Sequence, residues 1–252
     1  MREVAVDTNI ISDIRKALTP ANMSNPFLSE EQQRLYANAR EFFYYVLQRK
    51  ISMIVCPEVF RETYNPQNNF LKNLPISKII LSKYAKSVVF SEKDSIDFEK
   101  LVDVLTQQKF PIARNERMEM KIPFENATCE GKKDYIDAKI MARSILMRDS
   151  LLTQNLKDFT NQDPFLEGGV GSTVLTQRAA KSLGYDGEVN IFEFESLLNE
   201  MKKNSEISQE DQENYQDTPL GWDIWLHENV PQVFNGELVL EEPQFVMFGG
   251  VQ

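Results

Sequence analysis

The stretch DYIDAKIMARSILMRDSLLTQNLKDF, residues 134–159, decides the fold because a helix pattern, a strand pattern and acidic side chains follow one another within it. The apolar residues of its first half recur at helical spacing, and Asp134 and Asp137 stand three apart in the first turn of that helix. Residues 151–153 then predict a short buried strand, and Asp158 follows its carboxyl end. In open α/β sheets, ligands bind at the carboxyl ends of the strands. The stretch therefore predicts an α/β protein with a site at that edge of its sheet.

Two further β-rich runs are followed by acids. Residues 3–6 form a strand pattern that ends at Asp7, and residues 51–56 form another that a proline breaks. After that proline, Glu58 and Glu62 stand four apart on the opening turns of a helix. Three predicted strand ends therefore present acidic side chains.

These segments resemble the four motifs of PIN-domain nucleases, especially the VapC-type toxin ribonucleases. The motifs stand in the family order, as VAVDTNIIS, ISMIVCPEVFRE, DAKIMARS and LLTQNLKDF. The resemblance implies a PIN-like α/β fold, with a central, mostly parallel sheet flanked by helices. It also implies that Asp7, Asp137 and Asp158 are catalytic residues that bind metal. The gapless match adds Glu58 to this set, whereas PIN branches with a Val-x-x-Glu pattern would place Glu62 there.

The chemistry that the resemblance implies is metal-assisted hydrolysis of RNA phosphodiester bonds, leaving a 5′ phosphate. Mg²⁺ and Mn²⁺ prefer hard oxygen ligands, so a group of carboxylates can hold one or two such ions. Asp134 is a further candidate ligand, although an acid near a helix start also complements the helix dipole. We expect four polar residues to orient the ligands: Thr8, Asn9, Thr153 and Asn155. The alternative function is that of a catalytically inactive PIN fold that binds nucleic acid or protein.

The expected partners and compartment follow from the same reading. The resemblance implies an RNA substrate, with transfer RNA as a candidate, and an antitoxin protein if the chain is a toxin; a second copy of the chain is another candidate partner. The two cysteines, Cys56 and Cys129, have no metal-ligand spacing and indicate a reducing compartment. No apolar stretch reaches the roughly 20 residues that span a bilayer, and no signal-peptide pattern opens the chain. We therefore expect a cytoplasmic protein.

The net charge of −10 is concentrated near the carboxyl terminus. Residues 200–252 hold two lysines and eleven acids, whereas residues 1–199 are nearly neutral. We predict a PIN-like nuclease domain with insertions over residues 1–203 and an acidic extension over residues 204–252. The extension's tryptophans, Trp222 and Trp225, favour a brace that docks on the nuclease body with the acids left in solvent. Alternatively, those acids compete with RNA and inhibit the nuclease.

Other hydrolase classes lack residues that they require. A haloacid-dehalogenase-type phosphatase needs a second aspartate where Asn9 stands, and the one histidine, His227, lies in the acidic segment, away from any serine-hydrolase motif. The glycines at 168, 169 and 171 lack the spacing of a phosphate-binding loop.

Outside the motifs, two further helices are predicted, over residues 29–50 and 91–108. In the second of them Ile96, Phe98, Leu101 and Leu105 are expected to face the core. Residues 19–29 are predicted to be a loop, and residues 189–192 the last strand.

Overall fold

The structure is a computed structural model that describes residues 1–23, 25–63, 74–109, 129–148, 150–159, 174–186, 189–230 and 245–247. The strands are β1 (Arg2–Val6), β2 (Ile51–Val55), β3 (Ala85–Val89), β4 (Ser150–Leu152), β5 (Ile191–Phe192) and β6 (Phe245–Met247). The helices are α1 (Thr8–Leu18), α2 (Pro20–Met23), α3 (Glu30–Leu47), α4 (Pro57–Thr63), α5 (Leu74–Ile79), α6 (Glu92–Lys109), α7 (Cys129–Met147), α8 (Leu156–Phe159), α9 (Val174–Ser182), α10 (Phe194–Lys203), α11 (Gln209–Asn214) and α12 (Pro219–Asn229). A π-helical turn, Ile80–Tyr84, joins α5 to β3. Within the described ranges, no helix is long and apolar enough to cross a bilayer.

The strands form one sheet in the order β5-β4-β1-β2-β3-β6, and β1 to β5 are parallel. In the register of β1, β2 and β3, Val6 lies opposite Val55, which lies opposite Ser87. From β1 the chain adds β2 and β3 on one side, and then crosses to add β4 and β5 on the other side. The order therefore reverses between β1 and β4. The predicted α/β class and parallel sheet are confirmed, and they are consistent with a PIN-like fold.

The chain divides into two compact units, of which the first comprises Met1–Val88, Leu152–Gln154 and Phe192–Val246. In this unit α3 packs against α1 and α10, and the Phe42 ring lies 5.3 Å from that of Phe194. The start of α3 is fixed by a capping box, in which Ser29 and Gln32 each bond the other's backbone N–H. The predicted helix start at Ser29 is therefore confirmed.

The second unit comprises Val89–Leu151, Asn155–Ile191 and Met247–Gln252. Here α6 packs against α7 and α9, and its Phe98, Leu101 and Leu105 are buried, as predicted. Ile96, however, is 53% exposed, so its predicted inward position is wrong. It stands two residues before Phe98, which turns its side chain roughly 200° around the helix from that of Phe98.

Several short elements depart from the prediction. The loop expected over residues 19–29 contains α2, and β6 follows the strand that was expected to be the last. The helix α9 was not predicted, and the glycine run before it lies outside the described residues. Short helices carry little periodic signal, so the sequence pattern alone does not define them.

The acidic extension docks within the first unit through its tryptophans. Trp222 is buried with its ring 6.3 Å from that of Phe43, and the Trp225 ring meets the same phenylalanine edge-on at 5.2 Å. Just before α12, the Asp217 carboxylate accepts hydrogen bonds from Arg40 Nε and Nη2 at 2.6 and 2.7 Å. It also accepts one from Trp222 Nε1 at 3.1 Å. The expected docking of both tryptophans is therefore confirmed for the described part of the extension.

Some acids of the extension are paired with basic side chains of the same unit. Asp211 lies 2.9 Å from Lys50 Nζ, and Glu206 lies 3.1 Å from an Arg2 nitrogen. Hydrogen bonds from Ser208 and the ammonium of Lys50 lower the pKa of Asp211 to about 2. With Asp217, these acids pair with basic residues elsewhere in the first unit, while Glu206 and Asp217 themselves are exposed. The expectation that the acids of the extension face solvent is therefore confirmed for Glu206 and Asp217.

Candidate metal centre

The best-defined polar cluster of the first unit surrounds Asp7, at the carboxyl end of β1. Asp7 is only 6% exposed, and its backbone N–H donates to the carbonyl of Leu152 at 3.1 Å. That bond extends the pairing of β1 with β4 to the residue after β1. The predicted strand end at Asp7 is confirmed, and its side chain stands where the order of the sheet reverses.

Both oxygens of the Asp7 carboxylate accept hydrogen bonds. Oδ1 accepts from the backbone N–H of Thr8 at 2.6 Å, so Asp7 caps α1. Oδ2 accepts from the Thr153 hydroxyl at 2.9 Å and from the side-chain amide of Asn9. A helix cap does not require the two donors at Oδ2. Together the three donors fix the plane of the carboxylate.

Asn9 links the ends of β1 and β4 through both ends of its side-chain amide. Its Nδ2 group donates to Asp7 Oδ2 and, at 3.1 Å, to Thr153 Oγ1. Its Oδ1 accepts from the backbone N–H of Gln154 at 3.1 Å. An aspartate at this position could accept from Gln154 but could not donate to Asp7, and it would place two negative groups together. The amide is therefore the side chain that the cluster requires.

Thr153 completes the cluster from the β4 side. Its side chain is fully buried, and its backbone N–H donates to the Phe192 carbonyl of β5 at 2.9 Å. The hydroxyl can donate its single proton to Asp7 while its lone pairs accept from Asn9. The structure thus brings Asp7 together with the side chains of Asn9 and Thr153, two of the four residues expected to orient the ligands, and adds the Gln154 N–H. The sequence showed Gln154 only as the residue between Thr153 and Asn155.

Two residues remain candidates for the predicted glutamate ligand, Glu58 and Glu62. Glu58 lies in the first turn of α4, shortly after β2, and is partly buried. Glu62 lies near the end of the same helix, but its side chain lies outside the described residues. The structure thus places Glu58 near a strand end, as predicted, without choosing between the two ligands.

In the second unit, Asp137 lies on α7 and is 5% exposed. The helix begins at Cys129, earlier than the sequence pattern indicated, so Asp137 and Asp134 do not lie in its first turn. The effect of the helix dipole is strongest in the first turn, so the dipole explanation for Asp134 loses its basis. The side chains of Asp134 and Asp158 lie outside the described residues.

Among the described side chains, no three or more His, Cys, Asp or Glu residues lie together so that they could hold a metal ion. The side chains of Glu62, Asp134 and Asp158, which belong to the predicted ligand set, lie outside this described part. His227 is exposed on α12, as expected, and Cys56 is buried in the core.

Comparison of this chain with family models, with curated proteins and with solved structures finds no match.

Proposed function

We propose that this protein is a Mg²⁺- or Mn²⁺-dependent endoribonuclease of PIN type, acting as the toxin of a toxin–antitoxin pair. The observation that carries the proposal is the Asp7, Asn9 and Thr153 cluster at the carboxyl ends of β1 and β4. These two strands flank the point at which the strand order reverses. Open α/β sheets bind their ligands in the crevice at that point. A buried carboxylate held at this position is suited to bind a ligand there.

The donor set fits a hard divalent cation. Asp7 offers carboxylate oxygens whose direction is fixed by Thr8, Asn9 and Thr153. Hard oxygens of this kind are the ligands that Mg²⁺ and Mn²⁺ prefer, and oriented ligands bind metal more tightly. No thiol or imidazole takes part in this cluster, so its chemistry does not favour a soft metal.

In this proposal Asp7 and Glu58 supply ligands from the first unit, with Glu62 as the alternative to Glu58. The PIN resemblance assigns Asp137 and Asp158 to the same role, and leaves Asp134 as a further candidate. A bound ion would acidify the attacking water and offset negative charge on the leaving oxygen. The chain's own contribution is to fix the direction of the Asp7 carboxylate through Thr8, Asn9 and Thr153. RNA is the proposed substrate, and an antitoxin and a second copy of the chain are the proposed protein partners.

The first prediction tests this chemistry with the purified protein and a structured RNA. Cleavage should require Mg²⁺ or Mn²⁺, stop with EDTA and yield 5′-phosphate ends. Asp137→Asn should lower the cleavage rate by more than about 100-fold, because changing only an outer partner of a metal ligand already costs about 10- to 100-fold. The rate is measured by gel electrophoresis of end-labelled RNA.

The matched control is Asp97→Asn, because Asp97 is another buried acid of the second unit, near Lys100 and the Tyr185 hydroxyl. It should cleave at nearly the wild-type rate as long as it stays folded. Cleavage that persists in EDTA, or in Asp137→Asn, contradicts the mechanism. An inactive wild-type protein that still binds RNA supports the scaffold function instead.

The second prediction concerns the glutamate ligand. Glu58→Gln should weaken Mn²⁺ binding more than Glu62→Gln, because Glu58 follows β2 directly and gives the gapless match to the PIN motif. Isothermal titration of each variant with Mn²⁺ measures the difference. A larger loss of affinity in Glu62→Gln would reverse the assignment.

A further inference from the structure

A second polar feature of the first unit is a cavity of about 490 Å³ beside α2 and α3. Its volume falls within the range of roughly 300–1,000 Å³ that is usual for small-molecule sites. The residues that line it are Asn22, Met23, Asn25, Pro26, Leu28, Gln33, Tyr36, Ala37 and Arg40. None of them belongs to the cluster around Asp7.

The cavity carries little net charge. Arg40 is the one charged residue of its lining, and its guanidinium donates to both oxygens of Asp217 at 2.6 and 2.7 Å. Its Nη1 group also donates to the carbonyl of Ala17 at 3.2 Å. Because the Arg40 charge is already balanced by a carboxylate, the cavity is poorly suited to a phosphate or another anion.

Three side-chain amides give the cavity fixed hydrogen-bonding groups. Asn22 Nδ2 donates to the Lys16 carbonyl at 3.0 Å, and Gln33 Nε2 donates to the Leu28 carbonyl at 2.9 Å. Asn25 Oδ1 accepts from the backbone N–H of Phe27 at 3.0 Å. Each bond fixes one end of an amide. The opposite ends, two carbonyl oxygens and one NH₂ group, remain available to a ligand as acceptors and a donor.

Tyr36 adds a hydroxyl to this lining. The residue as a whole is 8% exposed, and its hydroxyl can donate one hydrogen bond to a ligand and accept another. The remaining lining residues Met23, Pro26, Leu28 and Ala37 supply apolar surface.

We propose that this cavity binds an uncharged planar heterocycle of the nucleobase class. Such a ring has apolar faces and an edge with both donors and acceptors, and proteins read it with apolar walls and side-chain amides. The lining offers these two kinds of surface and lacks a free charge. A sugar, whose hydroxyls point in many directions, would leave several of them against apolar side chains.

The cavity is distinct from the proposed cleavage site. Asp7 precedes α1 and α2 follows it, so the eleven residues of α1 separate the two sites by roughly 16 Å. A base bound in the cavity would therefore lie some nucleotides away from the cleaved bond. That RNA context rests on the proposed function, whereas binding of a free nucleoside does not.

The test is titration of the full-length protein, in EDTA, with adenosine, guanosine, cytidine and uridine, followed by calorimetry or NMR. We expect at least one nucleoside to bind with a Kd of roughly 1 mM or tighter, and ribose alone not to bind in that range.

Ala37→Leu should abolish binding because it fills the cavity from α3. Asn38→Leu adds the same side chain next to it, outside the lining, and should bind like the wild type. Tyr36→Phe should weaken binding by roughly 3- to 10-fold.

Three results would overturn the proposal: no nucleoside binding in the millimolar range, equal binding of ribose, or nucleoside binding that survives Ala37→Leu. Because EDTA is present throughout, a protein without nuclease activity can still pass this test. A metal-dependent nuclease can equally fail it. The nucleoside-binding proposal and the nuclease proposal are therefore tested independently.

Discussion

Asp7→Asn should remove the stabilisation that Mn²⁺ gives to the folded protein and lower RNA cleavage by more than about 100-fold. In the wild type, Mn²⁺ at about 100 times its Kd should raise the free energy of unfolding by about 2.7 kcal/mol. Asparagine keeps the size of the side chain, and its carbonyl oxygen can still accept from Thr8. It loses the negative charge, however, and its NH₂ group would face the donors Asn9 and Thr153. Thermal unfolding with and without Mn²⁺ measures the first effect.

The control for this substitution is Asp13→Asn. Asp13 is also a buried acid on α1, and it pairs with Lys16 Nζ at 2.9 Å. The variant should lose some stability in the absence of metal, yet keep the full response to Mn²⁺ and nearly full cleavage. An equal response of Asp7→Asn and the wild type to Mn²⁺ would show that Asp7 is only a helix cap. The thermal unfolding of Asp7→Asn in EDTA measures separately how much the substitution itself destabilises the fold without metal.

Trp222→Ala should lower the free energy of unfolding by about 3–5 kcal/mol. The buried indole packs against Phe43, and its N–H donates to Asp217, which Arg40 holds. Alanine would leave a cavity beside Phe43 and remove one of the donors that orient Asp217. Urea unfolding followed by circular dichroism measures the loss. We expect this large loss of stability because the Trp222 indole both packs against Phe43 and donates to Asp217, the partner of Arg40 in an ion pair.

Ile224→Ala is the matched control on the same helix, because Ile224 is exposed. It should change the free energy of unfolding by less than about 0.5 kcal/mol. A similarly small loss in Trp222→Ala would show that the extension does not brace the body. Autoinhibition makes a different prediction, since deleting residues 204–252 would then give a soluble protein that cleaves RNA faster at low salt.

Local sequence signals predicted the main strands and the start of α3. The signals for β1 and β2 are short apolar runs that end at Asp7 and Pro57, and the α3 start depends on Ser29 and Gln32, three residues apart. The start of α7 was placed too late, because residues 129–133 are charged or polar and lack an apolar stripe. The position of Ile96 was wrong because one apolar residue does not define a helix face.

The candidate site was predictable only in part, because local sequence signals do not show which distant residues come together. The sequence placed Asp7 after one strand and Thr153 at the end of another, and the parallel sheet confirms that both strands end at one edge. It could not show that the Thr153 hydroxyl bonds Asp7 across 146 positions, because that contact depends on strand order. The hydrogen bond from the Gln154 backbone N–H to Asn9 Oδ1 depends on side-chain orientation, which no spacing rule provides.

The position of β1 inside the sheet has a consequence for synthesis of the chain on the ribosome. β1 pairs with β2 on one side, but its other neighbour, β4, is made about a hundred residues after β2. At translation rates of about 5–20 residues per second, one edge of β1 remains unpaired for roughly 5–20 s. An exposed edge of apolar residues such as Val4 and Val6 readily pairs with other chains. During that interval the free edge of β1 is open to pairing with another nascent chain, until residue 152 emerges.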